Sequence, residues 1–117
     1  MVEQIQFGTG CGRSTSVGRS AEIAKVADEC GFSSITHIDS QILSRDVYVS
    51  LAHAAGKTSR IRLGQGVTNP YTRHPSVTAN ATASLDELSG GRAFLGIGAG
   101  YSSVEAMGLK PGAAGHE

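Results

Sequence analysis

The chain has 117 residues, the size of one ordinary domain, and its 39% hydrophobic and 17% charged content suits a folded protein rather than a disordered one. Ten basic residues balance ten acidic ones, which leaves no basic face for nucleic acid or for an anionic membrane. No run approaches the roughly 18 apolar residues of a transmembrane helix, and residues 1–8 lack the basic and apolar regions of a signal peptide, so a cytoplasmic location is expected.

In chain order, Ile5, Phe7 and Gly8 alternate as a first strand, and residues 8–13 (GTGCGR) follow as a glycine-rich loop. Ala21, Ile23, Ala24, Val26, Ala27 and Cys30 recur at helical spacing, with Gly31 past the helix end. The β-branched residues 34–38 predict a second strand ending at Asp39. A second helix is expected from Asp46 to Ala55 with Gly56 ending it, then a third strand from Ile61 through Gly64 to Val67. Pro75 fits the first position of a third helix. Val77, Ala81, Leu85 and Leu88 supply its apolar stripe, and Gly90-Gly91 stop it. Residues 93–97 (AFLGI) form an almost continuous apolar fourth strand, as expected when both faces are covered. Residues 101–109 predict a short helix, and residues 110–117 an irregular tail.

Strand and helix alternate at about 30 residues per unit, which means a parallel sheet. An open doubly wound sheet and part of a (β/α)₈ barrel both satisfy the pattern. A barrel needs roughly 250 residues, so four βα units are an incomplete one. Its strands near Ile5 and Leu95 would be bare edges, which favours a homo-oligomer.

In either architecture the functional face lies at the carboxyl ends of the strands. Those ends are residues 8–12, 39–41, 68–70 and 98–102, rich in glycine and small polar side chains. Two dinucleotide fingerprints fail there, because Tyr101 and Arg13 stand where the third glycine is needed. Residues 56–58 (GKT) imitate the end of a phosphate loop, but they follow a helix and Leu51 occupies the first glycine position.

Asp39 is either a capping aspartate or an acceptor or acid beside a ring-shaped cofactor, and spacing leaves both open. His37, inside a strand, reads as packed structure, and His53 as a helix surface residue. Arg73-His74 precedes a helix N-terminus, where the dipole favours an anion, although an acidic neighbour would satisfy Arg73 equally. Gly98 and Gly100 either bring backbone N–H groups to a ligand or turn the chain. Cys30 reads as core and Cys11 as a loop thiol. No cysteine or histidine spacing matches a metal site and no nucleophile elbow appears, so metal and hydrolase readings have no support.

Residues 45–49 (RDVYV), 61–75 (IRLGQGVTNPYTRHP), 85–92 (LDELSGGR) and 95–100 (LGIGAG) share a recognisable order. Together they resemble the luciferase-like monooxygenase superfamily, closest to its methylenetetrahydromethanopterin reductase branch, over nearly the whole chain. The resemblance implies the N-terminal half of a (β/α)₈ barrel. It also implies a cofactor, FMN or the 5-deazaflavin coenzyme F420, across the strand ends and no metal. The chemistry implied is hydride transfer to or from a small organic substrate, or its monooxygenation. The cofactor-facing positions then fall on Asp39, Thr68, Asn69, Gly98 and Gly100, with a cis peptide between Gly66 and Val67. Asp39 is the best catalytic candidate. Where many deazaflavin users have Asp-His, this chain has Asp39-Ser40. The alternative reading is a non-catalytic chain that self-associates through its open sheet edges.

Overall fold

The computed structural model describes residues 3–111. Strands β1 (Gly8–Cys11), β2 (Ser34–His37), β3 (Arg62–Gln65) and β4 (Ala93–Phe94) alternate with helices α1 (Val17–Glu29), α2 (Val47–Lys57) and α3 (Pro75–Ser89), and α4 (Tyr101–Ala106) follows. The strands are parallel and lie in sequence order β1-β2-β3-β4. Thr9 faces Ile35 and Leu63 across the sheet, and Gly10 faces Thr36 and Gly64.

That register sorts the side chains. Cys11, Ile35 and Leu63 share one face and form the buried core with Ala24 and Ala27 of α1, Leu51 and Ala54 of α2 and Leu85 of α3. All three helices therefore cover the same face. An open doubly wound sheet would carry helices on both, so the arrangement is that of the N-terminal part of a (β/α)₈ barrel.

The opposite face carries small residues of β1 and β2 together with Gly64, and Arg62 stacked on the Phe94 ring. A Cβ on Gly8 would come within 2.5 Å of Ser34 Oγ, and one on Gly10 within 2.9 Å of Thr36 Oγ1. The glycines expected to form a loop are thus strand residues, and β1 begins at Gly8 rather than around Ile5. Ser33 N–H donates to Phe7 O at 2.8 Å, just outside the strand. β3 ends at Gln65, short of Val67, and the Gly66–Val67 peptide that follows is cis. Beyond it pairing resumes only as an isolated bridge between Thr68 and Ile97. Hence β4 proper is two residues long, not five.

Helix ends follow local chemistry. Ser16 caps α1 by accepting from Arg19 N–H, Asp46 caps α2 through Val49 N–H, and Pro75 opens α3. Gly90 closes α3 at φ 72°, where L side chains are strained. Gly56 does not end α2, which continues to Lys57. α4 stops at Ala106, earlier than expected, and the last six residues of the expected tail lie outside the described residues.

Two burial expectations reverse. Cys11 is buried, and burial pushes its thiol pKa up, whereas Cys30 at the α1 C-cap is exposed. The cause is geometric. Cys11 is on the helix-covered face of β1, with its thiol aimed at Ser20 O, while Cys30 caps α1 outside the core. In α3, Leu85 is buried but Val77 and Leu88 are exposed, the buried positions being Thr78, Leu85 and Ser89.

The end of the sheet opposite the candidate site is held by two charged side chains. Arg92 donates to the carbonyls of Ser89, Ile61, Ala55 and Thr58 and to Thr58 Oγ1, satisfying α2 and α3 C-terminal carbonyls that have no intrahelical partner. Asp28, at the end of α1, accepts from the N–H groups of Ser59 (2.8 Å), Ile61 (2.9 Å) and Arg60 (3.3 Å) in the turn before β3. Burial alone would raise its carboxyl pKa, but these donors favour the anion and hold it below the ordinary value. A depressed folded-state pKa stabilises the fold above the unfolded value of 3.8 and loses that contribution as pH falls through the folded value. We expect Asp28→Asn to cost about 1.5–3 kcal/mol in urea unfolding at neutral pH, with the gap from wild type closing below about pH 4. A gap independent of pH would assign the loss to packing instead.

Candidate functional site

The carboxyl ends of β2 and β3, the β1–α1 loop and the start of α4 enclose an open cleft of about 220 Å³. Its lining includes Asp39, Gly66, Val67 and Gly100 of the residues expected from sequence, together with Arg13 and Ser40. Fully formed small-molecule sites occupy roughly 300–1,000 Å³, so these residues make part of a wall rather than a closed chamber.

Asp39 sits just past β2 and is 3% exposed. Its Oδ1 accepts from Gln41 Nε2 (2.8 Å) and Arg73 Nη2 (3.2 Å), and its Oδ2 from Thr68 Oγ1 (2.6 Å) and Arg73 Nη1. Four donors fill the four lone-pair directions of an ionised carboxylate. No acceptor is left over for a ligand. The geometry therefore makes Asp39 a brace that fixes Thr68 and the loop before α3.

Of the two readings of Arg73, pairing with an acidic neighbour is the one observed. Its hydrogen bond to Asp39 raises its pKa further, against the opposing effect of burial, and Asp46 adds a contact at 3.8 Å. The guanidinium also lies over the Tyr48 ring, 5.0 Å from the centroid, a cation–π contact. The α3 N-terminus is capped from within: Ser76 N–H donates to His74 Nδ1 at 3.2 Å.

Thr68 and Asn69 are fully buried and lie behind the cleft wall. Asn69 Oδ1 accepts from the N–H groups of Tyr71 and Thr72, which shapes the loop leading to Arg73. Gly98 packs against the Val67 side chain, 3.0 Å from where its Cβ would stand. A Cβ on Gly66 would meet Thr36 at 2.6 Å and one on Gly100 would meet Asn69 at 2.6 Å. These glycines are needed because the side chains of Thr36, Val67 and Asn69 pack closely against them, and Gly100 in addition turns the chain into α4 at φ 66°. The outcome is a cleft floor of backbone plus the exposed Val67 side chain.

His37 points the other way, into the helix layer. Neither ring nitrogen has a partner, and burial lowers its pKa to about 4. It borders a cavity of about 10 Å³ with Cys11, Ser20 and Ser44, room for about one water. It is packed structure, as its strand position implied. His53 is exposed on α2. Among the described residues no group of three or more His, Cys, Asp or Glu side chains is placed to hold a metal.

From the sequence Ser40 stands out only as the residue that replaces the histidine of the Asp-His pattern, and Arg13, just past the first strand end, only as the residue that breaks a glycine fingerprint; neither is a site candidate. The nearness of Arg13 to the β2 end depends on how the β1–α1 loop folds back.

Comparison with known proteins follows this geometry. The family described as luciferase-like monooxygenase matches residues 2–115. The 5,10-methylenetetrahydromethanopterin reductase of Methanolobus tindarius is 44% identical over 106 residues, 90% of this chain and 32% of that protein. The coenzyme F420 dependent tetrahydromethanopterin reductase structure from Methanopyrus kandleri aligns with a TM-score of 0.87 at 38% identity, over 92% of this chain and 31% of that one. The monooxygenase RslO1 from Streptomyces bottropensis gives 0.76 at 28% identity, over 91% and 37%. The chain thus spans about a third of the length of the relatives it matches.

Removing Arg73 while keeping Asp39 leaves a buried carboxylate uncompensated, a change that costs about 3–5 kcal/mol where a buried pair is broken. Arg73→Met is therefore expected to lower urea-unfolding stability by that order, and the double variant Asp39→Asn/Arg73→Met by distinctly less. Equal losses in the single and double variants would refute the brace.

Proposed function

The chain belongs to the luciferase-like monooxygenase family, and we propose that its four βα units form one wall of an oxidoreductase site for a 5-deazaflavin or flavin cofactor. The observation that carries this reading is the cleft at the carboxyl ends of the strands, with its backbone floor at Gly66 and its exposed Val67. The exposed Val67 side chain, beside Gly66 in the cleft lining, gives a planar ring an apolar contact. Coenzyme F420 is favoured over FMN, because the 38%-identical solved relative is named as F420 dependent. A bound ring of this kind supplies the hydride donor or acceptor. The chain supplies a rigid seat: Asp39 holds Thr68 and Arg73, which fixes the β3 end against the start of α3. The cofactor-binding assignment rests on Asp39, Gly66, Val67 and Gly100 as lining residues, with Thr68, Asn69 and Gly98 supporting them from behind. The substrate is a small organic molecule that shares the cleft.

A second reading, self-association without catalysis, is favoured by the two sheet margins. Ile5 (81% exposed) and Phe7 (68%) flank β1, and Leu95 (46%) and Ile97 (56%) follow β4. Among the described strands, β1 and β4 each have one neighbour, and unpaired apolar edges favour association.

Fluorescence titration of the chain with F420 and with FMN tests the first reading. Saturable F420 binding, tighter than FMN, is the expected result. A folded chain that binds neither would show that these units form no cofactor site by themselves. Sedimentation on the same samples is expected to give a mass that grows with protein concentration; a constant monomer mass would end the edge-pairing reading.

A further inference from the structure

One buried titratable group lies behind the cleft rather than in it. His37, on the helix-covered face of β2, is 5% exposed, and neither of its ring nitrogens has a hydrogen-bond partner. From β1 the titratable group facing it is its register partner Cys11, whose thiol burial keeps protonated. From the β2–α2 turn it is Arg45, which lines the same cavity. Helices α1 and α2 present Ser20 and Ser50 there, and β3 places Gln65 beside the ring, all uncharged. No carboxylate lines that space. The carboxylate nearest along the chain, Asp39, is committed to Gln41, Thr68 and Arg73.

A neutral imidazole is tolerated in such a place and a cationic one is not. The imidazolium carries two N–H donors and a charge, and a buried charge needs a counter-ion or water. The adjoining cavity of about 10 Å³ has room for about one water. Protonation therefore requires the surrounding layer to part, and burial pushes the pKa of the ring from 6.5 down to about 4. Geometry defines what parts. The cavity lies between the β1–α1 loop, at Gly12 and Thr15, and the β2–α2 turn, at Ser44 and Arg45. A backbone hydrogen bond from Ser14 N–H to Leu43 O, 3.3 Å long, joins those two segments. Ile38 lines this cavity and the cleft alike, and Leu43 lines the cleft. Loosening the layer thus loosens the cleft wall.

We propose that His37 is an acid-sensitive latch behind the cleft: uncharged, it lets the β1–α1 loop and the β2–α2 turn close over it, and taking up a proton opens that layer and loosens the cleft wall. The device belongs to the wall itself and does not rest on which ligand the cleft holds. Linkage sets the sign. The open layer accepts the proton near the ordinary histidine value of 6.5, whereas the closed one resists it down to about 4. Closure is therefore at full strength above pH 6.5, and its equilibrium constant falls about tenfold for each pH unit between those limits.

Cys11 reports the opening, because it is buried against the same cavity. The exposed Cys30 is changed in a full-length Cys30→Ser chain, which leaves Cys11 as the single thiol. Its labelling by a pyridyl disulfide is followed from about pH 7.5 to about 4.5, each rate being divided by that of a free cysteine peptide. With His37 present the corrected rate is expected to rise about tenfold per pH unit below 6.5. With His37→Leu or His37→Gln it is expected to stay flat. A flat rate with His37 present, or an equal rise in the variants, would overturn the latch. Urea titration at each pH gives the global unfolding constant. Labelling well above what that constant allows supports opening of this layer alone, and labelling equal to it would refute it. NMR titration of the His37 ring needs no substitution at that position. The ring is expected to stay uncharged in the folded chain well below pH 6.5, and protonation at 6.5 or above would also overturn the proposal.

Discussion

One buried carboxylate ties the functional end of this fold together. Asp39 follows β2, Thr68 follows β3, and Arg73 lies in the loop before α3; all three meet at the two oxygens of Asp39. A charge buried this deeply is tolerated only when paired and hydrogen-bonded, and here every acceptor direction is filled. The arrangement constrains what the cleft can do. The acidic group nearest the ligand space is fully engaged with Gln41, Thr68 and Arg73, which it holds in place.

The same logic runs through the opposite end of the sheet, with the chemistry inverted. There Asp28 gathers the backbone N–H groups of one turn and Arg92 gathers the carbonyls of two helix ends. Charged groups thus tie side chains together at one end and finish backbone hydrogen bonding at the other, while an apolar layer built largely of alanine and leucine fills the space between. Small core residues bring α1 and α2 close to the strands. Glycines on the other face do the same for the strands themselves, since a Cβ at Gly8, Gly64 or Gly66 would overlap atoms of the adjacent strand.

Electrostatics give the cleft its direction. With Asp39 and Arg73 mutually neutralised, the remaining formal charge is Arg13 on the rim. In a partly desolvated cleft one unpaired cation biases which ligands enter and how they turn.

The order of elements was legible in the sequence, because helical and strand periods differ and because Pro75, Gly31 and Gly90 mark helix limits through their own backbone preferences. The motif resemblance likewise placed the cis peptide at Gly66–Val67 and the barrel-type fold. Strand limits were less legible: β1 is made of glycines whose strand role comes from pairing with Ser34 and Thr36, partners that no local pattern records. Burial of Cys11 and exposure of Cys30 depended on which face of β1 the helices cover and where α1 ends. The choice between an anion site and an ion pair at Arg73 was settled only by the fold, which brings it to Asp39 from 34 residues away. Likewise the sequence set Arg13 in the loop after the first strand and Ser40 at the end of the second, and only the folded loop put both on one cleft. Local chemistry determines periods, caps and turns because it acts within a few residues. Side-chain partners across the sheet are decided by tertiary structure, because chain closure and burial select them.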